Sequence, residues 1–560
     1  MLTVWGEKLD KNSVLQEYPR PQLVRDSYVN LNGVWDYAIT ESDSMPDSWD
    51  GKILVPFSPE CELSGVGRIL KPHEYLWYRR ELEVPQHKGR VILHFGAVDQ
   101  TATVYVNGME AAHHVGGYTA FECDITELLS VKNELCVCVK DVSDESWHSR
   151  GKQRTKRGGI WYSPQSGIWQ TVWLECVPDC YVKNLRITPD FDAGHVEIIA
   201  ETVGRSDAYA VFDGKSYPLP CCIPVPDFEP WTPDTPKLYD FSVVCGEDKV
   251  DSYFAMRKFS VARDRDGISR LFLNNKPFFH NGLLDQGYWS DGMYTAPSDE
   301  ALIFDIQTAK DMGFNMLRKH IKIEPMRWYY HCDRLGMLVW QDMINGGGEY
   351  NPVIISTPLV TGIHLKDDRY KLFAREDEAG RKQYEVELFE MLHQLYNCPC
   401  ISMWVPFNEG WGQFDATRIA KLVRDFDGTR TIDHASGWHD QKIGQTKSLH
   451  VYFKKYVHRQ DKLGRAVLLS EFGGYNYYCD EHSFGETDFG YRRFKSIEAL
   501  TEALRRLYGG QIRPAHEQGL AAAVYTQLSD VEDEVNGLIS YDRKVVKISP
   551  ETVREIVSIK

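Results

Sequence analysis

The chain has 560 residues, more than one hydrophobic core usually organises, and this length predicts about three domains. A formal net charge of −16 and a pI near 5.6 argue against a basic surface, so nucleic acid is not an expected partner. No stretch approaches the roughly 20 apolar residues of a membrane span, and the charged N-terminus is unlike a secretory signal. The 13 cysteines are odd in number and scattered, which favours reduced thiols and a cytoplasmic location.

Two local clusters contain residue types that often form functional sites, but the sequence around each cluster does not support such a role. Cys398 and Cys400 have no second pair at zinc spacing, so we interpret them as loop cysteines and expect neither a metal nor a cofactor. A basic cluster lies among Gly, Gln and Ser without apolar periodicity, and we interpret it as a solvated loop. Its members are Arg150, Lys152, Arg154, Lys156 and Arg157.

Residues 1–180 carry the pattern of an all-β domain. Short apolar strands such as Val91–Phe95 and Thr103–Val106 are separated by turn signals, of which Asn107-Gly108 is typical of a hairpin. The pattern predicts a β-sandwich. We assign its large aromatic residues to the core, because such side chains bury much area, although they are also suited to stacking on a sugar. They include Trp77, Tyr78, Trp161 and Tyr162.

Residues 181–262 predict a second, smaller sandwich. Strand-like runs such as Val196–Ala200 and Leu238–Val244 flank proline-rich turns, and their spacing suits an immunoglobulin-like module.

From residue 263 to residue 560 the pattern becomes an alternation of strands and helices. Eight strands are predicted, the number that a closed (β/α)₈ TIM barrel requires: Pro277–Gly282, Asn315–His320, Met337–Asp342, Ile401–Asn408, Thr431–Ser436, Leu449–Tyr452, Ala466–Glu471 and Gly519–Gln527. The clearest helices are Asp299–Met312, Glu324–Leu335, Arg375–Tyr396, Ala416–Asp425 and Ser496–Tyr508. The predicted fold class is therefore multidomain, with two β-sandwiches followed by an α/β barrel.

Two of these buried strands end in a glutamate that is followed by glycine. The fourth runs into Asn408-Glu409-Gly, and the seventh ends in Glu471-Phe-Gly-Gly. Because parallel barrel strands end at the same mouth, both carboxylates are expected there. Paired carboxylates at such a mouth are the minimal equipment for hydrolysing a glycosidic bond.

The segments around these glutamates resemble glycoside hydrolase family 2, which includes β-galactosidases, β-glucuronidases and β-mannosidases. The resemblance extends over nearly the whole chain, and its motifs are specific in their order and spacing rather than singly. Beyond Asn408-Glu409 and Ser470–Tyr475 they are Trp77–Arg80, Gly167–Trp173, Asn281-Gly282, Leu317–His320 and Cys332–Asp342.

The resemblance implies that residues 1–180 form a jelly-roll sugar-binding domain, and the immunoglobulin-like label of residues 181–262 rests mainly on it. It also implies a retaining, exo-acting β-glycosidase and roles for particular residues. It makes Glu409 the general acid/base and Asn408 the contact to the sugar 2-hydroxyl. It makes Glu471 the nucleophile that forms a covalent glycosyl-enzyme, with Tyr452 hydrogen-bonded to it. An apolar mouth would raise the pKa of Glu409 toward neutrality, as proton transfer requires.

Further residues are candidates for contacts at the mouth. Arg318 and His320 lie one strand period apart, so both should face the site, where Arg318 would steady Glu471 and His320 would touch substrate. Other candidates for the substrate-binding rim follow strand ends or the Asn-Glu motif, namely Asp342, Trp411, Trp438, Asp285, Trp289, His434 and His439.

Two departures from the family pattern affect the choice of sugar. Many relatives end the last strand with a tryptophan under the sugar. This chain has Val524-Tyr525-Thr-Gln527 there, so the candidate floor is Tyr525 or is built elsewhere. Well-studied β-glucuronidases carry an Asn-x-Lys motif for the sugar carboxylate, whereas the equivalent stretch here, Glu534–Leu538, has no lysine. A neutral hexoside is therefore expected to be preferred, unless Lys319, Lys322 or Arg543 turns into the site.

A β-galactosidase-like specificity is accordingly the leading interpretation, with a β-glucuronidase or β-galacturonidase as the alternative. A hypothesis of another class is a non-catalytic carbohydrate-binding protein on the same fold. In each case the expected partner is a carbohydrate, and a homo-oligomer is left open.

Overall fold

The first part of the chain forms two facing layers of antiparallel strands in the computed structural model, which describes residues 1–559. Along Thr101–Val106 every second side chain is buried, as a strand with one face on a core requires. One layer contains Tyr28–Asn30, Val172–Val177, Arg90–Phe95 and Phe121–Asp124. The other contains Gly51–Val55, Gly33–Thr40, Tyr75–Glu81, Glu134–Lys140, Thr101–Val106 and Met109–Val115. A two-stranded pair, Val98–Asp99 with Gly167–Ile168, joins them.

A second sandwich of seven strands follows. Its apolar side chains, among them Val196, Phe241 and Val250, form a core separate from that of the first sandwich. The three-stranded layer contains Tyr181–Asp190, His195–Val203 and Cys221–Pro224. The four-stranded layer contains Lys215–Pro218, Ala208–Phe212, Tyr239–Cys245 and Asp248–Phe254. A three-stranded antiparallel segment leads into the barrel through Phe259–Arg263, Ser269–Leu273 and Lys276–Pro277.

Eight parallel strands then form the barrel sheet, and they are numbered here in chain order. They are β1 (His280–Asp285), β2 (Met316–Lys319), β3 (Leu338–Asp342), β4 (Ile401–Val405), β5 (Thr431–Ile432), β6 (Thr446–Val451), β7 (Ala466–Gly473) and β8 (Leu520–Thr526). The strands are paired in the order β5-β4-β3-β2-β1-β8-β7-β6. All eight predicted strands are present, and the predicted fold class is confirmed.

Side chains close the seam between β5 and β6, the two outer members of this order. The Thr446 hydroxyl donates to the Ile432 carbonyl at 2.8 Å, and the Ser448 hydroxyl donates to Asp433 Oδ1 at 2.8 Å. The sheet therefore curves through a full barrel, and its carboxyl ends converge on one mouth.

Helices cover the outside of the barrel. Each of the five predicted helices is present to within three residues at either end. The first begins at Asp299 and is capped by Ser298, whose hydroxyl accepts from the Ala301 N–H at 3.2 Å. The α-helices are Asp299–Asp311, Met326–Leu335, Pro352–Ile355, Thr357–Thr361, Glu378–Leu395, Ala416–Phe426, Ile497–Leu507, Arg513–Glu517 and Pro550–Val557. No helix within residues 1–559 combines the length and the apolar character that crossing a membrane requires. All 13 cysteines are unpaired in the structure.

Candidate active site

Two carboxyl groups meet at the mouth of the barrel, as the sequence predicted. Glu409 follows β4 and Glu471 lies near the end of β7. One oxygen of each, together with Nδ1 of His450 on β6, lie within 4.8 Å of one another. The ends of β4, β6 and β7 thus place both carboxyls across a single space.

The backbone at Glu409 turns sharply to aim its side chain into this space. Its φ is +52°, a conformation that favours glycine, and its N–H donates to the Ser436 carbonyl at 2.8 Å. The residue is 9 % exposed. Burial raises its pKa, while an N–H from Trp411 at 3.1 Å and the positive charges of Lys152 and Arg318 act in the opposite direction.

Glu471 is held by donors on both of its oxygens. Arg318 Nη1 donates to Oε1 at 3.2 Å, and the Tyr452 hydroxyl donates to Oε2. His450 Nδ1 lies 3.3 Å from the same Oε2. The ring of Tyr452 is fixed in turn by stacking on Tyr491, with centroids 3.7 Å apart and planes 8° from parallel. These contacts fix the orientation of the Glu471 carboxyl group.

Arg318 is fully buried at the centre of a network that joins four strand ends. Its guanidinium donates to both oxygens of Asp342 at 3.0 Å, and to Asn408 Oδ1 at 2.8 Å. Burial disfavours the arginine charge, but the carboxylates of Asp342 and Glu471 outweigh it and raise the pKa of Arg318. The predicted contact between Arg318 and Glu471 is therefore present within a larger ion-pair network.

Asp342 lies deeper than the rim position expected of it. It is 1 % exposed, and its oxygens accept from Arg318 and face His320 Nδ1 at 2.9 Å. Burial raises the pKa of Asp342 to about 7, against the opposing charge of Arg318. With its oxygens occupied, Asp342 orients Arg318 and His320 and is not placed to contact a sugar.

His450 is a site residue that the sequence analysis missed. Its Nδ1 lies 2.6 Å from Glu409 Oε1, so one imidazole nitrogen faces both carboxyl groups. Burial lowers the pKa of His450 to about 4, and the ring is neutral near pH 7. A signal was available in the sequence, because His450 lies two residues before Tyr452 in the predicted strand Leu449–Tyr452, and residues at that spacing share a face.

Within residues 1–559, one group of His, Cys and carboxylate side chains has ligand-type atoms close enough together to share a metal ion. It consists of Glu409, His450 and Glu471. Each member already has a hydrogen-bonding partner within this group or beside it. We assign no metal to it.

Aromatic side chains form one wall of the mouth. Trp411 meets Trp161 edge to face at 5.0 Å between centroids and meets Tyr350 at 5.1 Å. Trp438 lies 6.4 Å from His450, so both predicted tryptophans are near the carboxyl pair. The assignment of Trp161 to the sandwich core was wrong, because Trp161 is only partly buried and reaches this wall.

The basic cluster of the first sandwich is the second correction. Arg150 is 2 % exposed and donates to the carbonyls of Gly347 and Gly348 in the loop after β3. Lys152 and Arg154 are half-buried. The segment is therefore docked on the barrel mouth and is not the solvated loop that its composition indicated.

Tyr525 does not form the expected floor of the sugar site. It is fully buried and packs against Phe472 and Tyr475, with centroids 5.7 and 6.4 Å away. Its neighbour Thr526 instead reaches the site, with Oγ1 3.0 Å from the Tyr452 hydroxyl. Strand β8 is buried on both faces, so its sequence carried no alternation to show which residue points inward.

Four other rim candidates have partners away from the two carboxyls. Asp285 pairs with Lys319 at 2.7 Å, and His434 lies 3.1 Å from Asp440. Trp289 packs edge to face on Trp5, and His439 faces the carbonyls of Ile354 and Ile355.

The fold and the site together define a class of protein: a barrel that presents a close carboxyl pair, with two β-sandwiches preceding it. Residues 68–178 match the model of the glycosyl hydrolases family 2 sugar-binding domain, and residues 265–471 match that of the family 2 TIM barrel domain. The chain belongs to glycoside hydrolase family 2.

Relatives with different names match the chain at low identity. A Formosa agariphila protein provisionally named a β-glucuronidase is 24 % identical over 503 residues, covering 80 % of this chain and 55 % of that protein. A β-galactosidase of Thermoanaerobacter pseudethanolicus is 26 % identical over 383 residues, covering 61 % of this chain and 47 % of that one. The chain thus spans about half the length of these curated relatives.

A solved structure shows the same fold over nearly the whole chain. It is a family 2 β-galacturonidase from Eisenbergiella tayi bound to galacturonate, 18 % identical, with a TM-score of 0.72. The match covers 96 % of this chain and 98 % of that one.

Proposed function

We propose that the protein is a retaining exo-β-glycosidase that works by double displacement. The observation that supports this most strongly is the separation of the two carboxyls, since oxygens of Glu409 and Glu471 lie within 4.8 Å. Retaining enzymes hold their carboxyl groups about 5 to 5.5 Å apart, whereas inverting enzymes leave about 6.5 to 9.5 Å for a water.

The environments of the two carboxyls divide their roles. Glu471, beside Arg318 and the Tyr452 hydroxyl, is suited to remain ionised and to attack the anomeric carbon. Glu409, whose pKa burial raises, is suited to carry the proton that the leaving oxygen takes as the glycosidic bond breaks. A covalent glycosyl-Glu471 ester results. Glu409, now a carboxylate, then removes a proton from water as that water displaces Glu471 from the sugar.

Asn408 is oriented for a sugar hydroxyl by its bond to Arg318. Because its Oδ1 accepts from Arg318 Nη2 at 2.8 Å, its amide nitrogen is the part left to donate. This supports the role in 2-hydroxyl binding that the family resemblance implies.

For the glycone, a neutral β-galactoside and a β-uronide are the two candidates. The three basic residues considered from the sequence are all engaged elsewhere, which favours the neutral sugar. Lys319 pairs with Asp285 and Glu324, Lys322 pairs with Glu324, and Arg543 pairs with Asp305. The uronide is favoured by a different residue, Lys152, whose ammonium has no counter-ion and lies 5.6 Å from the centre of the Tyr162 ring.

A panel of chromogenic aryl β-glycosides tests the activity, and proton NMR of the first product tests the stereochemistry. We expect turnover of at least one glycoside and initial release of the β-anomer. Initial release of the α-anomer would contradict double displacement. If no member of the panel is turned over, and the sugars nevertheless bind, the chain is a carbohydrate-binding protein on this fold.

A further inference from the structure

A loop of the first sandwich forms part of the barrel mouth. The N–H groups of Arg150 and Gly151 donate to the Asn345 carbonyl at 3.0 and 3.1 Å, and the Lys152 carbonyl accepts from the Tyr162 N–H at 3.0 Å. Asn345 lies three residues after the end of β3. Backbone bonds on both sides of Lys152 therefore fix where its side chain begins.

Lys152 differs from Lys319, Lys322 and Arg543 because its ammonium has no counter-ion. Within residues 1–559 its Nζ makes no hydrogen bond and no ion pair, and it lies 5.6 Å from the centre of the Tyr162 ring. Lys319, Lys322 and Arg543, in contrast, are fully buried in ion pairs. A half-buried lysine without a counter-ion is available to a ligand.

The Lys152 charge acts on the catalytic pocket. Burial is the largest influence on three residues of the pocket: it raises the pKa of Glu409 and lowers the pKa values of His320 and His450. The positive charge of Lys152 contributes further and lowers the pKa of each of the three. The loop also lies against the segment that follows β2: a Cβ on Gly151, the residue before Lys152, would be 3.1 Å from the carbonyl oxygen of Ile321, the residue after His320. Lys152 therefore begins beside the pocket on which its charge acts.

The pocket between Glu409 and Glu471 is otherwise unfavourable to an anionic substrate. Glu471 is ionised in the proposed mechanism, and the positive charge of Arg318 is already shared by Asp342 and Glu471. A substrate carboxylate placed here without its own cation would lose hydration and be repelled by Glu471.

We propose that Lys152 is a specificity-determining residue that binds the carboxylate of a uronic acid in the substrate. This inference rests on the proposed glycosidase function and adds the substrate class that the site selects. The carboxylate can belong to the sugar at the cleavage point or to the group that leaves, since the mouth serves both. The tip of Lys152 would donate a charge-assisted hydrogen bond to it.

The test compares kcat/KM of the full chain and its variants on three aryl substrates. These are a 4-nitrophenyl β-galacturonide, the matching neutral β-galactoside, and a β-galactoside whose phenyl group carries a carboxylate. The variants are Lys152→Met, which keeps the length without the charge, and Lys152→Arg, which keeps the charge. Lys156→Met, an exposed lysine on the same loop, is the matched control.

We expect Lys152→Met to lower the ratio of kcat/KM for one carboxylate substrate to that for the neutral galactoside at least tenfold, which corresponds to about 1.4 kcal/mol. The loss should appear mainly in KM, Lys152→Arg should restore most of the ratio, and Lys156→Met should leave it unchanged. If the ratio falls for the galacturonide, the carboxylate that Lys152 binds belongs to the glycone. If it falls for the carboxyphenyl galactoside, that carboxylate belongs to the leaving group.

An unchanged ratio on both carboxylate substrates, with the wild type active on a β-glycoside, would overturn the assignment of Lys152 and leave the glycosidase function standing. A wild type that turns over no β-glycoside would instead overturn the proposed function itself. An equal loss on all three substrates would show that Lys152 has a structural role.

Discussion

Replacing Glu409 by alanine should impair the two halves of the reaction to different extents. A general acid/base contributes about 10² to 10⁴ in rate, which is about 2.7 to 5.5 kcal/mol. On a glycoside with a poor leaving group we expect Glu409→Ala to lose most of this factor. On a dinitrophenyl glycoside, whose leaving group needs no proton, formation of the glycosyl-enzyme should be nearly unchanged and its hydrolysis should become limiting.

The structure indicates how the variant could be rescued. Removing the Glu409 side chain opens space beside the anomeric centre, while Glu471 retains Arg318 at 3.2 Å and the Tyr452 hydroxyl. Azide, a nucleophile that needs no base, should enter this space and accelerate turnover of the dinitrophenyl glycoside at least tenfold, giving a β-glycosyl azide. Glu409→Gln fills the same space and should respond much less.

The assay is steady-state release of dinitrophenol with and without azide, followed by NMR of the product. The reasoning would be refuted if azide restored Glu471→Ala while leaving Glu409→Ala unaffected, because the two roles would then be exchanged.

The pH profile provides a second test of the role of Glu409. Burial raises the pKa of Glu409, and the acid form is the active one, so kcat/KM should be lost as pH rises through that raised pKa. Glu409→Gln should lack this alkaline limb; its persistence would assign the limb to another group.

Two further predictions concern stability, each measured by thermal and urea denaturation. Gly473→Ala should destabilise the fold by roughly 2 to 4 kcal/mol, because φ there is +85° and an added Cβ would overlap the aromatic ring beneath it. Gly444→Ala, with φ of +73° and open space, should cost only about 1 kcal/mol, and equal costs would show that the overlap relaxes. Lys547→Met leaves the buried carboxylate of Asp530 without its partner at 2.7 Å and should cost about 3 to 5 kcal/mol. Lys421→Met breaks an exposed pair and should cost less than about 1 kcal/mol; similar losses in both would contradict the argument from burial.

The barrel was predictable because its strands are short apolar runs bounded by glycine and polar residues. Strand β7, predicted at Ala466–Glu471, extends only two residues further in the structure. Strand β4, predicted at Ile401–Asn408, ends earlier, at Val405, so Asn408 and Glu409 lie beyond the regular strand. The positions of the carboxyls depended only on strands ending at a common mouth, which the strand pattern itself implies.

The parts of the site that were not predictable depend on contacts between distant segments. Lys152 reaches the mouth because the preceding residues bond to the Asn345 carbonyl, and nothing local in a basic, glycine-containing loop indicates that docking. Tyr525 was misplaced because a strand buried on both faces has no polar side to orient it. Asp342 was placed too near the surface because its sequence position fixes the strand end but not which charge it faces.

The most direct test of the account is to identify the residue that becomes covalently attached to sugar. Incubation with a 2-deoxy-2-fluoro β-glycosyl fluoride, of the sugar that the chromogenic panel selects, should slow hydrolysis of the ester and accumulate it. Peptide mass spectrometry should then locate one fluoro-sugar per chain on Glu471, and Glu471→Gln should remain unlabelled. A label on Glu409, or continued turnover of the fluoride with no covalent sugar at any stage, would contradict the assignment of Glu471 as the nucleophile.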